Sequence, residues 1–543
     1  MTGFIGTWRL IRLALRRDRI VIPITIALVI AMVAGSAPSL LTAYPDATAQ
    51  LAYVSSSAPS IIGRVFQGTV HGANIGTIVM AELYITTAAI MAIASIFLVS
   101  RHTRYNEETG AGELIGSGVV SQQAPLSAAL IVAIGMNAIM AILIFLSLLP
   151  IKELDQVGSA FLAASLGLVG IFFACISAIT VQLSDYRRGS NGMAIATLIG
   201  FFILRALGDV LGKISPDGLI VTPNWITWLS PFGWGYQVLP YNVNRILPLI
   251  LLAVGSVVAC LTGFYLQSRR DIGSSIFASK QGPARAKPSL LSANGLAFRL
   301  QSTGFLGWSV GFILFGTVMA VTANDFRKIF ENSDVLQEFL AATSTGGDFL
   351  DTIISSMFPI IAAMLAGYVV TSLSKMQDEE SSGRLESLLG TALSRTRWFF
   401  SHVSLTTAGV IINLVLMGLA GGIGFSLASG QFNHRFSDVL ISASVSIPAM
   451  LLFMAVILIV YSLFGRFTKT FSWFFYGYCT LISTFAGIFK WPQWTLNFSP
   501  FTHTPSFPST EFSVQPMIIM TALALVLTLL ANTLFNRRDL NLK

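Results

Sequence analysis

Two segments concentrate the ionisable side chains of this chain of 543 residues. Residues 101–115 carry Glu107, Glu108, Gly110 and Glu113; residues 375–389 carry Glu380, Gly383, Arg384 and Glu386. In both, acidic groups are followed by apolar residues about one helical turn apart. A short acidic helix of this kind is what a soluble partner would grip, through charge pairs and an apolar knob. A solvated connector is the plain alternative for either segment alone. Gly110, Gly112 and Gly116 have the wrong spacing for a phosphate loop, and no strand precedes them.

Other reactive patterns are missing from the sequence. There is no G-x-x-x-x-G-K-[ST], so the chain has no P-loop of its own, and there is no H-E-x-x-H. The five histidines (His71, His102, His402, His434 and His503) are scattered without ligand spacing. Cys175, Cys260 and Cys479 lie far apart inside apolar runs, where they read as small hydrophobes. An enzyme reading has no residues to stand on.

Three charges fall within apolar stretches, where an ionisable group is a functional candidate by default. Arg205 and Asp209 stand four apart and share a helix face. They form either an internal ion pair or a polar lining of a path. Glu82 has no local partner in the sequence; it is either solvated near an interface or faces an internal cavity. Two aromatic, proline-containing runs are also candidates. The first, residues 225–234, holds Pro231, Phe232 and Trp234; the second, residues 491–501, holds Trp491, Pro492, Pro500 and Phe501. An interfacial aromatic belt explains the tryptophans. Proline and serine within the runs suggest short broken helices of a gate.

The elements that position these residues follow from composition. Hydrophobic residues make up 54% of the chain and charged residues 11%, against about 25% charged in a soluble domain. A mean hydropathy of +0.73 points the same way, and soluble multidomain, disordered and coiled-coil classes are excluded. The net charge of +8 is explained by basic loops on one membrane face and does not call for nucleic acid. Twelve stretches reach spanning length: 20–42, 76–100, 124–149, 155–183, 191–212, 246–266, 304–322, 353–373, 401–428, 439–464, 470–489 and 516–536. With the N-terminus inside, inner segments hold 24 of the 33 Lys and Arg residues and outer segments 8, which places both termini in the cytoplasm.

The chain is a duplication. Glu107, Gly110, Glu113 and Ser121 recur 273 positions on as Glu380, Gly383, Glu386 and Ser394. Ser230-Pro231-Phe232 recurs as Ser499-Pro500-Phe501, and Arg269-Arg270-Asp271 as Arg537-Arg538-Asp539. Each sits at the same place in a six-span half of the same orientation. The expected organisation is a transmembrane half at 1–271, a basic cytoplasmic linker at 272–295 containing Lys280 and Pro283, and a second half at 296–543. Each half opens on an apolar-basic segment, 13–16 and 296–299, suited to a helix along the inner interface.

The motifs R-x-T-R-x-x-E-E-x-G-x-x-E-L, D-E-E-x-x-G-R-L-E, R-A-L-G-D and W-L-S-P-F-G-W stand at 101–114, 378–386, 205–209 and 228–234. On these residues the chain resembles ABC exporter permeases of the polyketide-antibiotic (tetronasin-type) efflux family, over essentially its whole length. The resemblance implies two fused six-span halves working with two copies of a separate ATP-binding subunit, which holds the ATP and magnesium. It also implies that the loops after spans two and eight are coupling helices seated in those subunits. Carried over, Glu107, Glu108, Gly110, Glu113, Glu380, Gly383, Arg384 and Glu386 become coupling residues. Gly112 departs from the second half, which has Leu385. Glu82, Arg205, Asp209, Pro231, Phe232, Trp234, Pro500 and Phe501 are candidates for the path or gate.

The expectation is therefore an all-α polytopic cell-membrane protein, pseudo-twofold about the membrane normal. It would expel hydrophobic or amphipathic compounds past an aromatic gate, with no cofactor of its own. Lipid or glycan export is an alternative within this reading. A proton-coupled carrier is the rival, short of ionisable groups for a relay; a membrane scaffold or sensor would not need a duplicated acidic segment.

Overall fold

The computed structural model describes residues 4–539 apart from 62, 218, 272, 278–281, 283, 332–348, 430–431, 486–492, 506 and 508–512. The expectations at Lys280, Pro283, Trp491 and Pro492 lie outside the described residues. The chain forms two compact units, Met1–Gly282 and Pro283–Lys543.

The first unit holds α1 (Thr7–Arg17), α2 (Val21–Ala43), α3 (Ala47–Ser57), α4 (Ile75–His102), α5 (Arg104–Glu108), α6 (Ala111–Gly116), α7 (Ala124–Leu148), α8 (Gln156–Leu183), α9 (Arg187–Val210), α10 (Pro231–Tyr236) and α11 (Leu247–Ser268). Their ends are set by ordinary capping chemistry. Asp155 accepts from the Gly158 N–H at 2.7 Å at the start of α8, and Asn74 and Thr77 form a capping box on α4. Prolines stand in the first turns of α7, α10 and α11, where no N–H is needed. Helices α4 and α8 are the most enclosed, and around them the apolar residues of the first unit form one core.

The second unit holds α12 (Ala293–Glu331), α13 (Phe349–Ser381), α14 (Arg384–Leu389), α15 (Arg395–Ser429), α16 (Phe432–Val445), α17 (Ile447–Phe464), α18 (Thr468–Phe485), α19 (Gln493–Asn497) and α20 (Gln515–Arg537). It has its own core, built on residues such as Tyr368, Trp398, Phe399, Phe453 and Phe535.

Among the described residues, ten helical stretches are long and apolar enough to cross a membrane. The expected twelve differ from this in two places. Spans 439–464 and 470–489 fall in a single stretch, Phe436–Ser483, which breaks before Pro448 and again at the 3-10 turn Gly465–Phe467. Span 304–322 lies within α12, which is not among the ten. The only strand pairing among the described residues is a two-residue ladder, Lys213–Ile214 with Val221–Thr222.

The apolar-basic openings differ between the units. The first is a separate helix, α1, that buries Ile11 and Ala14 and exposes Trp8, Leu13 and Leu15 beside its arginines. It stops at Asp18, which is buried and bonded to Arg101 at 2.9 Å and His102 at 2.5 Å. The second opening, expected as another interfacial helix, is continuous with α12. There Gln301 stays in the helix and meets His402 Nδ1 at 3.2 Å.

Candidate functional site

Both acidic segments turn on a glycine in the left-handed region, Gly110 at φ 75° and Gly383 at φ 72°. A Cβ at either would meet nothing within 4 Å. Glycine is required there by the backbone angle and not by space. Each turn starts a six-residue helix, α6 or α14, whose first turn carries Glu113 or Glu386, the sign a helix N-terminus favours. Both carboxylates are exposed, as is Arg384, and Leu114 on α6 is 79% exposed.

Glu107 and Glu380 are placed differently from their neighbours. Arg270 donates from Nη1 to Glu107 Oε2 at 2.9 Å and from Nη2 to Oε1 at 2.6 Å. Arg104 also pairs with Glu107, and donates to the carbonyls of Ser184 at 2.5 Å and Ser274 at 2.8 Å. In the second unit Arg538 donates to Glu380 Oε1 at 2.5 Å. Each arginine also reaches the last turns of another helix. Arg270 donates to Gln182 on α8, and Arg538 to the Tyr461 carbonyl on α17 at 2.6 Å. The second arginine of each repeated Arg-Arg-Asp thus staples the end of its own helix to the acidic segment and to a third helix. Charge-assisted, multiply bonded pairs of this kind offset the desolvation of both ions.

The remaining acidic residues have distinct partners. Glu108 is exposed and accepts from the Arg187 N–H at 3.0 Å, capping α9. Glu379, which the sequence reading did not single out, is buried and accepts from Trp398 Nε1 at 2.9 Å, with His402 Nε2 3.4 Å away. Asp18, Arg270 and Arg538 were likewise unassigned. The duplicated Arg-Arg-Asp beside the duplicated glutamate was the available signal for the last two. Asp18 had none, since its partners lie more than 80 positions away.

At the other end of the first unit, Arg205 is fully buried. Its Nη1 donates to Asp209 Oδ2 at 3.0 Å and to the Arg64 carbonyl at 3.2 Å, and Nη2 donates to the Val65 carbonyl. Asp209 Oδ1 accepts from Thr227 Oγ1 at 2.9 Å. The pair therefore ties α9 to the π-helical turn Gly63–Gln67 and to the 3-10 turn Trp225–Leu229. Glu82, partnerless in its own stretch, accepts from Tyr53 Oη at 2.7 Å and from Gln67 Nε2 at 2.8 Å. Both donors come from the segment between α2 and α4.

The aromatic runs fold as short turns before the last long helix of each unit: Trp225–Leu229 with α10, and α19 with the 3-10 turn Pro500–His503. Pro231 and Pro500 each start a turn and are buried. Phe232 packs on Phe173 with centroids 5.3 Å apart, and Phe501 on Phe453 at 5.9 Å. Trp234 Nε1 donates to the Trp228 carbonyl at 2.6 Å.

Residues 290–536 match the family model of the C-terminal domain of the multidrug efflux system permease Rv1217c. The chain is 30% identical to the multidrug efflux system permease protein Rv1217c of Mycobacterium tuberculosis, in an alignment covering 99% of this chain and 96% of that protein.

Proposed function

The chain belongs to the multidrug efflux permease family, and from that premise we propose that it is the membrane subunit of an ATP-driven ABC exporter. It is a multi-pass transport permease. The expelled compounds are hydrophobic or amphipathic, the termini are cytoplasmic, and ATP with magnesium is hydrolysed on a separate ATP-binding subunit bound in two copies.

The observation that carries this reading is the repeated device in both units: a left-handed glycine, then a six-residue helix with an exposed glutamate in its first turn. A membrane protein without a soluble partner has no need to build the same acidic protrusion twice. Within the segments the roles divide. Glu113, Arg384 and Glu386 meet the partner with Leu114 as an apolar knob. Gly110 and Gly383 set the turn, Glu108 caps α9, and Glu107 and Glu380 anchor the segment to the end of the last long helix.

At the other end of each unit an aromatic turn, Pro231, Phe232 and Trp234 in the first and Pro500 and Phe501 in the second, serves as a gate element. Arg205 and Asp209 hold the first gate turn in place, and Glu82 fixes the loop beside it. Export of a lipid or glycan uses the same machinery with a different cargo. A proton-coupled carrier is less well supported, because Arg205 and Asp209 neutralise each other and Glu82 already accepts two hydrogen bonds.

The test is isolation of the tagged chain from its native membrane in mild detergent, followed by mass spectrometry of stoichiometric partners. An ATP-binding subunit at about two copies per permease is expected. A monodisperse permease without one, transporting at a rate set by the proton gradient, would replace this reading with the carrier.

A further inference from the structure

Beneath α6 the first unit contains a cavity of about 400 Å³ lined by Glu107, Gly112, Pro125, Gln182, Gln267 and Arg270, among others. A second cavity of about 270 Å³ lies against it between α1, α6 and α7, walled by Leu10, Leu13, Ala14 and Leu114. The two share His102, Asn106, Ile115 and Pro125. One chamber is rich in amide, carboxylate and guanidinium groups, and the other is mostly apolar, with Arg17, His102 and Asn106 also on its wall. Gln267 is buried, donates to the Gln122 carbonyl at 2.7 Å, and has an Oε1 that accepts no hydrogen bond among the described residues.

The second unit treats the equivalent positions in the opposite way. By the offsets of the repeats, Gly112 corresponds to Leu385, Pro125 to Trp398 and Gln267 to Phe535. These three are at most 1% exposed. Trp398 and Tyr461 stack on Phe535, with centroids 5.5 and 5.7 Å away, and Phe399 packs tilted against it at 5.7 Å. Phe399 stands where the first unit has Leu126. The fold thus accepts large side chains at these positions, and the first unit has none of them. Space kept open and polar-lined in one unit, and filled by large side chains in the other, is space that a molecule from outside the chain can enter.

We propose that the first unit binds a small amphipathic molecule here, with an N–H- or O–H-bearing polar end that donates to Gln267 Oε1 and an apolar end against Leu10, Leu13 and Ala14. A side chain of the partner fits less well, because a subunit docking equally on both units would need the receptacle twice. Cavities of this combined size are in the range that holds small ligands. The ligand would touch α6 directly, so its presence would bias that coupling segment. That consequence rests on the exporter reading; the binding does not.

The occupant is either a free amphiphile or a membrane lipid whose head carries N–H donors. The test uses the full-length permease alone in phosphatidylcholine nanodiscs, titrated with N-phenyl-1-naphthylamine, a neutral apolar fluorophore with one N–H. Saturable fluorescence above that of empty discs is expected, with affinity at least tenfold weaker in Gln267→Phe and in Pro125→Trp. These variants install the second unit's residues, and the second serves if the first does not fold. Replacing phosphatidylcholine by phosphatidylethanolamine weakens the probe if a lipid is the natural occupant and leaves it unchanged if a free amphiphile is. A wild-type signal that does not saturate, or one undiminished in the folded filled variants, overturns the proposal. No nucleotide or partner is present, so the result is independent of whether the exporter reading stands.

Discussion

Arg270 grips Glu107 at two points, 2.9 and 2.6 Å, across 163 positions of sequence, and Arg538 repeats the contact on Glu380 at 2.5 Å. Both carboxylates are largely covered by these contacts. The acidic segment is thereby tied to the end of the last long helix of its unit.

Removing Arg538 leaves the largely covered Glu380 without its arginine, so Arg538→Ala is expected to destabilise the second unit by roughly 3 kcal/mol, as for other broken buried pairs. Glu107 keeps Arg104 when Arg270 is removed, so Arg270→Ala is expected to cost the first unit less. Chemical unfolding in detergent, with Glu107→Ala and the double variant completing a cycle, measures the coupling. A double variant whose loss is the plain sum of the single losses would show that the pair contributes nothing.

The outward carboxylates should behave differently. Glu113→Arg with Glu386→Arg is expected to change stability by no more than about 0.5 kcal/mol, since both groups are solvated, while partner-dependent transport is lost. Glu107→Arg with Glu380→Arg should lower stability as well as transport. Comparing melting temperature and transport for the two double variants separates docking from anchoring, and equal stability losses would erase the distinction.

Gly110→Ala and Gly383→Ala meet open space, so their cost is conformational alone. About 1 kcal/mol each is expected for holding an L-residue in the left-handed region, with Asn, which tolerates it, milder than Ala. A larger loss for Ala at 110 than at 383 would mean that the first turn carries an additional constraint.

His71 provides a pH signature outside the spanning helices. Its Nε2 lies 2.7 Å from Thr69 Oγ1, and burial, with Arg245 nearby, pushes its pKa down to about 4. A base with a depressed pKa takes up its proton more readily in the unfolded chain. Its contribution is therefore complete above the ordinary value near 6.5, and is lost as the pH falls from there towards 4. Unfolding midpoints measured from pH 7 to 4 should decline, and His71→Gln should flatten that decline.

Much of this molecule was legible in its sequence. Apolar run length placed the long helices of the first unit within a few residues, because hydropathy is a sum over neighbours in the chain and a spanning helix satisfies its own backbone. The repeats located the two acidic segments and the two aromatic turns. The repeats also picked out Gly110 and Gly383, although that both are left-handed turns came from the structure. The pairing of Arg205 with Asp209 was also readable, as they stand one helical turn apart.

What tertiary structure decided were relations between distant residues. Glu107 and Glu113 are the same residue type six positions apart, yet one is bonded to Arg270 and the other is exposed. Only the meeting of α4, α8 and α11 separates them. Glu82 finds Tyr53 and Gln67 in the same way, and Asp18 finds Arg101 and His102. The cavity beneath α6 is the furthest from local reading. It exists because Gly112, Pro125 and Gln267, drawn from three separate segments, are too small or too polar to close a space that Leu385, Trp398 and Phe535 occupy in the second unit. Local pattern prescribes where helices form, but a charge's partner and a cavity's walls depend on which helix faces come together, and that is a property of the packed chain.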